Sequence, residues 1–584
     1  MELLRDTAFG HVVRFVTKGK LRQFQYYEER YPEVWREYVD ADKTANVARY
    51  GQVEPPDQEF DKADNEDDDN WRRGASIDSA RTRVPGDEEI DPEKGKNIHL
   101  VAFLPNDPEV ITYTRSVARN ISADRTQNPQ NWSLKKKVFV TFQICLLTVG
   151  VYVGSAIYSA GVLDVMQVFG VSQIAALLGL TLFVAGYGLG PMIWSPLSEI
   201  PQIGRNPIYI STLLLFVLLQ IPTALAVNFG MLLAFRFITG FVGSPVLATG
   251  GATLADIWSP KKRAYAMGIW GVAAVCSPTL APAIGGFAAM AKGWTWPIWE
   301  LMWLSGFAFV LLFFCLPETS ANNILYRRAK RLRKLTGNNK LMSESELMAE
   351  EMTPRDIVMI SLVRPFTLNF TEPMVFLLNL YIALIYGLLY IWFESFPIVF
   401  TGIYGFSLGL QGVAFMGILV GALIVIPPFF WYLHKYLEPQ FDENGDIQPE
   451  KRLPPAFIGG FAIPICLVWF GWSARPDVHW IMPIIGSAWF SIGSFLLFNS
   501  VLNYLPDAYP NVAASVLAGN DLFRSAFGAG FPLFANAMYT KLGVAWASSL
   551  LGFLSILFIP IPIILYKVGT MLRREYSRHA RKDI

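Results

Sequence analysis

The chain has 584 residues, of which 52% are hydrophobic, 14% are aromatic and only 17% are charged. Soluble proteins average about 25% charged residues, so this composition excludes an ordinary soluble domain. The net charge of +1 gives no basis for a nucleic-acid partner. Four cysteines lie within apolar runs, where packing is their expected role, and their spacing indicates neither a disulfide framework nor a metal site: Cys145, Cys276, Cys315 and Cys466.

Residues 1–137 form a hydrophilic N-terminal region that we expect to be cytoplasmic and partly disordered. Aromatic and basic residues up to about Asp40 predict a short amphipathic helix, either on the membrane surface or on the inner face of the protein. Asp57–Asn70 is acidic and poor in apolar residues, which predicts disorder. Trp132 and then Lys135–Lys137 precede the first apolar run, as an interfacial ring and a cytoplasmic anchor do.

Twelve apolar runs follow, and each is long enough to cross a bilayer, which takes roughly 20 residues. The predicted spans are 138–163, 172–194, 206–226, 229–252, 264–289, 297–317, 372–400, 407–433, 454–474, 479–504, 512–538 and 542–567. Lys and Arg concentrate in alternate links, including 318–371 and the tail 568–584. Because cytoplasmic links carry the excess of Lys and Arg, both termini are expected inside the cell.

The link 318–371 divides the membrane part into two halves, 138–317 and 372–567. Twelve spans arranged around a long central link are typical of two homologous six-helix bundles. The symmetry rests on hydropathy alone, because the link 434–453 shows no strong residue-level repeat of the loop between the second and third spans.

A short hinge, residues 190–207, joins the second and third spans and carries one acid, one base, four prolines and two glycines. Its signature residues are Gly190, Pro191, Ser195, Pro196, Glu199, Gly204 and Arg205. A charged pair at a tight turn between membrane helices must face water or find partners at helix ends, with an acid favoured near a helix N-terminus and a base near a C-terminus. The hinge is therefore either a solvated turn or a latch between helix ends.

This hinge resembles the signature loop between spans 2 and 3 of the major facilitator superfamily, Gly-x-Leu-Ala-Asp-Arg-x-Gly-Arg. The chain departs from that pattern, since Glu199 replaces the aspartate and two extra residues precede Gly204-Arg205. The longer form is similar to that of fungal twelve-span drug:proton antiporters of the fluconazole- and benomyl-resistance type. The resemblance implies an all-α membrane protein with two six-helix bundles around a central cavity.

Arg236 lies well inside the fourth span, where a charge costs at least ~2.5–3.5 kcal/mol on insertion scales and usually faces a polar interior. The alternative is a side chain that snorkels to the outer interface. The residue resembles the Arg-x-x-x-Gly motif of the family, whose arginine is implicated in proton coupling, and we expect a buried carboxylate near it. Asp256, at the inner end of the same span, is a further candidate for proton coupling and is expected to lie near Arg205, where a pair would latch the hinge.

The fifth span is dense in glycine and proline, which allow close helix packing and kink a helix. Its residues resemble the exporter motif Gly-Pro-x-x-Gly-Pro-x-x-Gly-Gly, with Ser277 and Ala281 where glycine is usual. The matching positions are Gly271, Pro278, Pro282, Gly285 and Gly286. The resemblance implies export rather than import.

Two further spans carry polar groups. Asp521 and Arg524 are three residues apart, share a helix face and form a second candidate pair for proton coupling, unless they are a structural pair near the interface. An aromatic face with one acid in the seventh span, together with a nearby amide, is a candidate substrate cavity: Tyr381, Tyr386, Tyr390, Phe393, Glu394 and Asn520. Such a face suits apolar, often cationic compounds, but it also matches an outer aromatic belt with Glu394 in water.

No phosphate-binding loop is present, so the sequence favours an ion gradient over ATP as the energy source. We expect a transporter rather than an enzyme, with no cofactor, whose partners are a small-molecule substrate, protons and the bilayer. It is expected to act as a monomer in the plasma membrane and to export small apolar or amphipathic compounds by alternating access. The alternatives are a proton-coupled importer of polyamines or other small metabolites, and a membrane sensor that binds a ligand without transporting it.

Overall fold

Helices make up nearly all of the computed structural model, which describes residues 2–18, 20–26, 29, 99–100, 128–351, 355–356, 359–442 and 446–582. Asp57–Asn70, where we predicted disorder, lies outside the described residues. Two short parallel strands, His99–Leu100 and Leu341–Met342, form the one sheet found in the described ranges.

The first half contains six spans, each built from one or two helices. They are Leu134–Ala156 and Val162–Phe169 (span 1), Gln173–Leu189 and Pro191–Glu199 (span 2), Arg205–Ala224 (span 3), Phe229–Gly243 and Pro245–Ile257 (span 4), Pro260–Lys292 (span 5) and Trp296–Cys315 (span 6). The first helices of spans 1, 2 and 4 begin at polar caps. Ser133 Oγ, Ser172 Oγ and Asn228 Oδ1 each accept a bond from a backbone N–H of the first turn.

The second half begins after a helical linker. The linker helices are Ala321–Thr336, Glu344–Glu351 and Arg364–Thr371. The spans that follow are Pro373–Phe396 (span 7), Leu408–Ala414 and Met416–Tyr432 (span 8), Pro454–Ser473 (span 9), Ile481–Ala508 (span 10), and the helices Ala513–Ile556 and Pro560–Met571. Short 3-10 and π segments, among them Pro397–Thr401, Leu433–Leu437 and Pro449–Arg452, extend or join these helices.

The last helical run contains two spans. Within the described residues, eleven runs are long and apolar enough to cross a membrane, and the final one, Ala513–Tyr576, has 64 residues. Such a run extends about 96 Å at 1.5 Å per residue, about three times a hydrocarbon core of about 30 Å. Gly543 has φ 75° and ψ 161°, a backbone that no helix contains, so it separates span 11 from span 12. The predicted all-α fold with twelve spans is therefore confirmed.

Large apolar side chains cover the outside of the bundle, where a soluble protein would be polar. Phe307, Ile424 and Phe553 are each about 60% exposed. These surfaces match the lipid environment that twelve apolar spans require, and the interior is formed by the faces that meet between helices. The side of the bundle that carries residues 318–371 is called the linker side below, and the opposite end is called the far side.

The N-terminal segment packs on the linker side. Ala8–Val16 forms a helix that places Phe9 against Phe314, with ring centroids 5.0 Å apart, and leaves Phe15 exposed. The amide of Glu318 donates to the carbonyl of Asp6 at 3.1 Å. Of the two positions considered for this helix, the structure has the one against the protein.

The C-terminal tail is also held on the linker side. Arg573 makes a bidentate pair with Glu450 at 2.7 and 3.0 Å. The carboxylate of Glu372, just before span 7, accepts bonds from Ser577 Oγ at 2.6 Å and from the backbone N–H of Arg578 at 3.1 Å. These bonds hold the pKa of Glu372 below its usual value although burial acts in the opposite direction.

The charge distribution predicts that the linker side faces the cytoplasm. Asn339 and Lys541 are both exposed and lie at opposite ends of the bundle. In a background without the native cysteines, a membrane-impermeant maleimide should modify Lys541→Cys on intact cells and Asn339→Cys only after permeabilisation. Modification of Asn339→Cys on intact cells would reverse the orientation.

Candidate functional site

The hinge between spans 2 and 3 is closed by an ion pair at the end of span 4. Arg205 Nη2 lies 3.0 Å from Asp256 Oδ2, and Nη1 donates to the carbonyl of Thr249 at 3.2 Å and to Thr253 Oγ1 at 3.3 Å. The guanidinium therefore lies along span 4, bonded to a carbonyl within the helix and paired with Asp256 near the end of the helix. Arg205 and Asp256 are close together, as the sequence indicated, and their role in switching stays a prediction.

The carboxylate at the N-terminus of span 3 is Glu318, from the start of the linker, rather than Glu199. Its Oε1 accepts from the backbone N–H of Arg205 at 3.1 Å, and its Oε2 from that of Asn206 at 3.2 Å. Oε1 also accepts from Thr319 and Ser320 in the linker at 2.9 and 3.0 Å. Glu318 thus joins the first half of the chain to the linker through four backbone N–H groups that would otherwise lack partners.

Glu199 lies at the C-terminal end of helix Pro191–Glu199 and makes no hydrogen bond or ion pair among the described residues. The expectation that it would favour a helix N-terminus is therefore wrong. Pro191 begins this helix, Pro196 lies inside it, and the carbonyl of Ser195 accepts from Ser198 Oγ at 2.6 Å.

Two glycines of the hinge permit close packing. A Cβ on Gly190 would lie 2.5 Å from the carbonyl oxygen of Phe241, so span 2 can approach span 4 only with glycine there. Gly204 has φ 78°, which glycine adopts readily, and a Cβ there would lie 2.6 Å from Glu318 Oε2. Gly204 therefore lets Glu318 approach the start of span 3.

The second half repeats the arginine–aspartate pair, although its sequence showed no repeat. Arg452, two residues before span 9, places Nε 2.9 Å from Asp507 Oδ2, at the end of span 10. Asp507 has a second partner, because Arg263 from the start of span 5 places Nη2 2.5 Å from its Oδ1. One carboxylate thus binds an arginine from each half on the linker side.

A second ionic contact joins the halves near the first. Lys262 Nζ and Tyr265 Oη donate to Glu438 Oε1 at 2.7 and 2.6 Å. On the far side the halves meet through contacts that are not ion pairs. An example is the hydrogen bond that Gln173 Nε2 donates to Glu394 Oε2 at 3.2 Å. The halves therefore touch at both ends, and ion pairs between them concentrate on the linker side among the described residues.

A cavity of about 40 Å³ lies between the halves. Its wall is mainly apolar and aromatic, the kind of lining that binds apolar ligands. The lining residues belong to spans 1, 5, 7, 10 and 11 and include Tyr152, Trp270, Tyr386, Phe498, Asn499 and Arg524. Arg524 is the one charged residue of this lining.

Four tyrosine hydroxyls meet beside the cavity and join the halves. Tyr187 Oη lies 3.1 Å from Tyr390 Oη and also bonds to Tyr386 Oη. Arg524 Nη2 donates to Tyr152 Oη at 3.1 Å. Tyr152 and Tyr187 belong to the first half and the other residues to the second, so this polar cluster depends on how the halves are arranged.

Asp521 and Arg524 form a buried ion pair in span 11. The pair is 2–5% exposed and so lies inside the bundle, and its part in proton coupling stays a prediction. Asp521 Oδ2 and Arg524 Nε have no hydrogen-bond partner among the described residues. The pair therefore keeps free acceptor and donor capacity at the cavity wall.

Arg236 is completely buried, which excludes the snorkelling alternative. Its Nε and Nη2 donate to the carbonyls of Gly179 in span 2 and Gly154 in span 1, both at 2.9 Å, and the guanidinium lies 4.4 Å from the ring centroid of Phe183. The expected carboxylate beside Arg236 is not found among the described residues. Backbone carbonyls take its place, and they bind spans 1, 2 and 4 together.

Span 5 packs against both halves through its small residues. A Cβ on Gly285 would lie 2.8 Å from Ile157 of span 1, and one on Gly286 would lie 2.8 Å from the carbonyl oxygen of Leu408 at span 8. Gly271 lines the cavity, and Pro278 and Pro282 lie inside one continuous helix.

Two of the predicted cavity residues lie elsewhere. Tyr381 stacks on Phe558 of span 12, with centroids 5.5 Å apart, because five helical residues turn it about 140° away from Tyr386. Asn520 donates to Asn379 Oδ1 at 2.8 Å, so it links spans 7 and 11 instead of facing the cavity.

Of the remaining residues of the aromatic face, Tyr386 lines the cavity and the others lie near it. Phe393 packs on Phe415 of span 8 at 5.4 Å. Glu394 is 7% exposed and bonds to Gln173, so it is not an acid in water at the outer interface. Tyr386 lines the cavity, and Tyr390 adjoins it through its hydroxyl. The acid expected in the cavity wall is therefore not there.

Sequence reasoning missed Glu318, Asp507 and the tyrosines of spans 1 and 2. Glu318 was visible as an acid directly after an apolar run, but its partners at the start of span 3 lie more than 110 residues away. Asp507 was visible as an acid at the inner end of span 10, the same position that Asp256 occupies in span 4.

The comparisons with known proteins agree with this architecture. Residues 144–532 match the model of the Major Facilitator Superfamily. Transporter mfs1 of Schizosaccharomyces pombe is 47% identical, over 78% of this chain and 87% of that protein. Fluconazole resistance protein 1 of Saccharomyces cerevisiae is 44% identical, over 77% of this chain and 83% of that protein. The structure of the proton:xylose symporter XylE, 15% identical, covers 75% of this chain and 96% of XylE with a TM-score of 0.51.

The helical architecture together with the matches to transporters defines a multi-pass membrane transporter of small molecules rather than an enzyme. The chain belongs to the Major Facilitator Superfamily, since the family model and both curated relatives cover most of its length. The resemblance to this superfamily and to its fungal drug-resistance branch is confirmed.

Glu318 can be tested without removing an arginine. Glu318→Gln removes the negative charge and one strong acceptor at the start of span 3, which should cost about 1–3 kcal/mol of unfolding free energy. Transport should fall several-fold while the protein still reaches the membrane, as measured by flux per surface-labelled molecule. The control is Glu344→Gln, an exposed linker acid. Normal flux in Glu318→Gln would show that the contacts of Glu318 do not contribute to transport and that the hinge is a plain turn.

The contact between spans 5 and 8 gives a second test. A Cβ on Gly412 would lie 2.1 Å from the carbonyl oxygen of Pro282, so Gly412→Ala must separate the spans. In this variant, Gln173→Cys should react with an impermeant maleimide several-fold faster. Gly530→Ala is the matched control, because a Cβ there meets nothing within 4 Å. Equal reaction rates would show that this contact does not keep the far side closed.

Proposed function

We propose that this protein is a proton-coupled efflux transporter that exports small apolar or amphipathic compounds by alternating access. The observation that carries the proposal is the mainly apolar cavity between two halves that touch at both ends. An apolar lining of this kind favours apolar ligands, and opening either end alone connects the cavity to one side of the membrane. Fluconazole resistance protein 1, at 44% identity, supports export and suggests fungicides such as azoles, or a toxin of the same cell, as substrates.

The proton is assigned to Asp521. Its carboxylate binds Arg524, and Arg524 also donates to Tyr152 in the other half. A proton on Asp521 would release the charge of Arg524 and change its contact with Tyr152, which couples proton binding to the arrangement of the halves. Arg236 has carbonyl partners instead of an acid, so its proposed part in coupling is to position spans 1 and 2.

The ion pairs on the linker side are the proposed gate. Arg205 with Asp256 and Arg452 with Asp507 fix the ends of spans within each half, and Arg263 with Asp507 and Lys262 with Glu438 join the halves. A ligand or proton shifts the equilibrium between the two open forms only as far as it binds them differently. The halves 138–317 and 372–567 are proposed to move as units, with both termini cytoplasmic and the protein acting as a monomer in the plasma membrane.

The test is export measured in everted plasma-membrane vesicles from a yeast without its own drug exporters. Fluconazole should accumulate in vesicles that carry the protein, and an imposed acid interior should raise the rate at least several-fold. Asp521→Asn should keep fluconazole exchange without a gradient and lose the acceleration, because asparagine cannot exchange a proton. Asp477→Asn, an exposed loop variant, should behave as the unmodified protein does.

Three results would contradict the proposal. Loss of fluconazole from these vesicles would indicate an importer. Ligand binding without any flux, across a panel that includes azoles, benzimidazoles and polyamines, would indicate a sensor. Full acceleration by the gradient in Asp521→Asn would remove Asp521 as the proton carrier.

A further inference from the structure

The N-terminal helix Ala8–Val16 has an apolar face that no other part of the described chain covers. Val12, Phe15 and Val16 lie at positions i, i+3 and i+4, so they share one face of the helix, which we call the outer face. Their side chains are 50%, 86% and 72% exposed. A contiguous apolar face of this kind marks a contact with another protein or with a membrane.

The depth of this helix in the membrane favours lipid. Span 6 has 20 residues, so it is about 30 Å long and just crosses a hydrocarbon core of about 30 Å. Phe313 and Phe314 belong to its last turn, and Phe9 packs on both rings, with centroids 6.3 and 5.0 Å apart. The helix Ala8–Val16 therefore lies beside the last turn of a span, at the edge of the hydrocarbon on the linker side.

The outer face continues the lipid-facing surface of span 6. Val310 and Phe314 are one turn apart on that span, and both are exposed. Phe9 lies against Phe314, and Val12 and Val16 follow Phe9 at spacings of three and seven residues, on the same side of the helix. One apolar surface therefore runs from the flank of span 6 onto the outer face.

Polar contacts with the rest of the protein fix the direction of the outer face. Arg14 makes a bidentate pair with Glu29 at 2.7 and 2.9 Å. His11 Nε2 lies 2.5 Å from Nη1 of Arg327, which belongs to the linker helix Ala321–Thr336. The helix cannot roll its outer face onto the protein without breaking these contacts.

Basic side chains follow the helix at the same end of the bundle. Lys18 and Lys20 are exposed and come two and four residues after Val16. Two acids of the same segment are already engaged, since Asp6 and Glu29 each pair with an arginine. Lysines just beyond an apolar helix face meet the headgroups of a bilayer, and anionic headgroups attract them.

We propose that the helix Ala8–Val16 docks in the membrane leaflet on the linker side, with its outer face among the acyl chains and Lys18 and Lys20 at anionic headgroups. The inference goes beyond the proposed function, because it needs only the position of the helix beside span 6 and no direction of transport. The backbone N–H of Glu318 donates to the carbonyl of Asp6 at 3.1 Å, two residues before the helix. The docked helix is thereby joined to the residue whose carboxylate binds the start of span 3, so an anionic leaflet steadies the hinge.

Spin labels test the docking in the full-length protein without its native cysteines, in nanodiscs of phosphatidylcholine and phosphatidylserine. Oxygen concentrates among acyl chains and a neutral nickel chelate stays in water, so power saturation with each reagent reports the surroundings of a label. A label at Phe15→Cys should be relaxed more by oxygen than by nickel, as should one at Val310→Cys on the flank of span 6. A label at Asn339→Cys, exposed on the linker side, should show the reverse.

Variants separate the apolar part of the docking from the charged part. With the label at Val12→Cys, Phe15→Ser should raise the relaxation by nickel about two-fold, because serine removes the largest apolar side chain of the outer face. Phosphatidylserine should deepen the label at Phe15→Cys relative to pure phosphatidylcholine, and Lys18→Gln combined with Lys20→Gln should abolish that difference. The matched control is Gln23→Ser, an exposed residue outside this helix, which should change neither result.

Three results would overturn the proposal or one of its parts. Stronger relaxation by nickel than by oxygen at Phe15→Cys would place the outer face in water. Weak relaxation by both reagents would show that a protein surface covers it, either another segment of this chain or a second copy, and lipid docking would be wrong. A label at Phe15→Cys that is relaxed by oxygen but does not respond to phosphatidylserine would overturn the assignment of Lys18 and Lys20 to anionic headgroups.

Discussion

The carboxylate of Asp507 is shared by two arginines from opposite halves of the molecule, and the linker side is held closed around it. Arg452 fixes Asp507 within the second half, and Arg263 brings the first half to it. The side chains of Arg263 and Asp507 are 18% and 16% exposed, so water reaches the contact between the halves. A pair of this kind is worth more than an exposed one and costs less to break than a fully buried one, which suits a contact that must open in each cycle.

The interior has to satisfy its polar groups without water, and it does so by two means. Arg236 is held by the carbonyls of Gly154 and Gly179, which ties three spans into one unit. The hydroxyls around Tyr187 bond to each other across the halves. The first arrangement is rigid, because backbone carbonyls inside a helix cannot move away alone. The second depends on the approach of two bundles, so it is the part of the interior that must rearrange when they move.

Much of the fold was readable from the sequence, because twelve apolar runs and the asymmetry of Lys and Arg are local properties. The boundaries of the spans were harder to predict. Spans 11 and 12 follow each other in one helical run, and the backbone of Gly543 is what separates them. The placement of Tyr381 in the cavity could have been avoided from the sequence. A helix turns about 100° per residue, so Tyr381 and Tyr386 point to different faces of span 7. Glu318 could not have been assigned to the start of span 3, because its partners are distant in the chain and no local pattern selects it over Glu199. The repeat of the arginine–aspartate pair was also missed. Arg452 lies before the helix of span 9, whereas Arg205 is the first residue of the helix of span 3, so the two arginines do not align by their position in a span.

Two spin-label pairs measured by double electron–electron resonance test the central claim, which is that the Asp507 contact holds the linker side closed. With the native cysteines removed, one pair at Lys261→Cys and Gln440→Cys reports on the linker side, and the other at Lys292→Cys and Lys541→Cys reports on the far side. Asp507→Asn should lengthen the mean distance of the first pair and shorten that of the second, because weaker attraction releases the linker side and the halves then close at the opposite end. Unchanged distances in Asp507→Asn, or distances that lengthen together, would contradict the claim that the Asp507 contact holds the linker side closed.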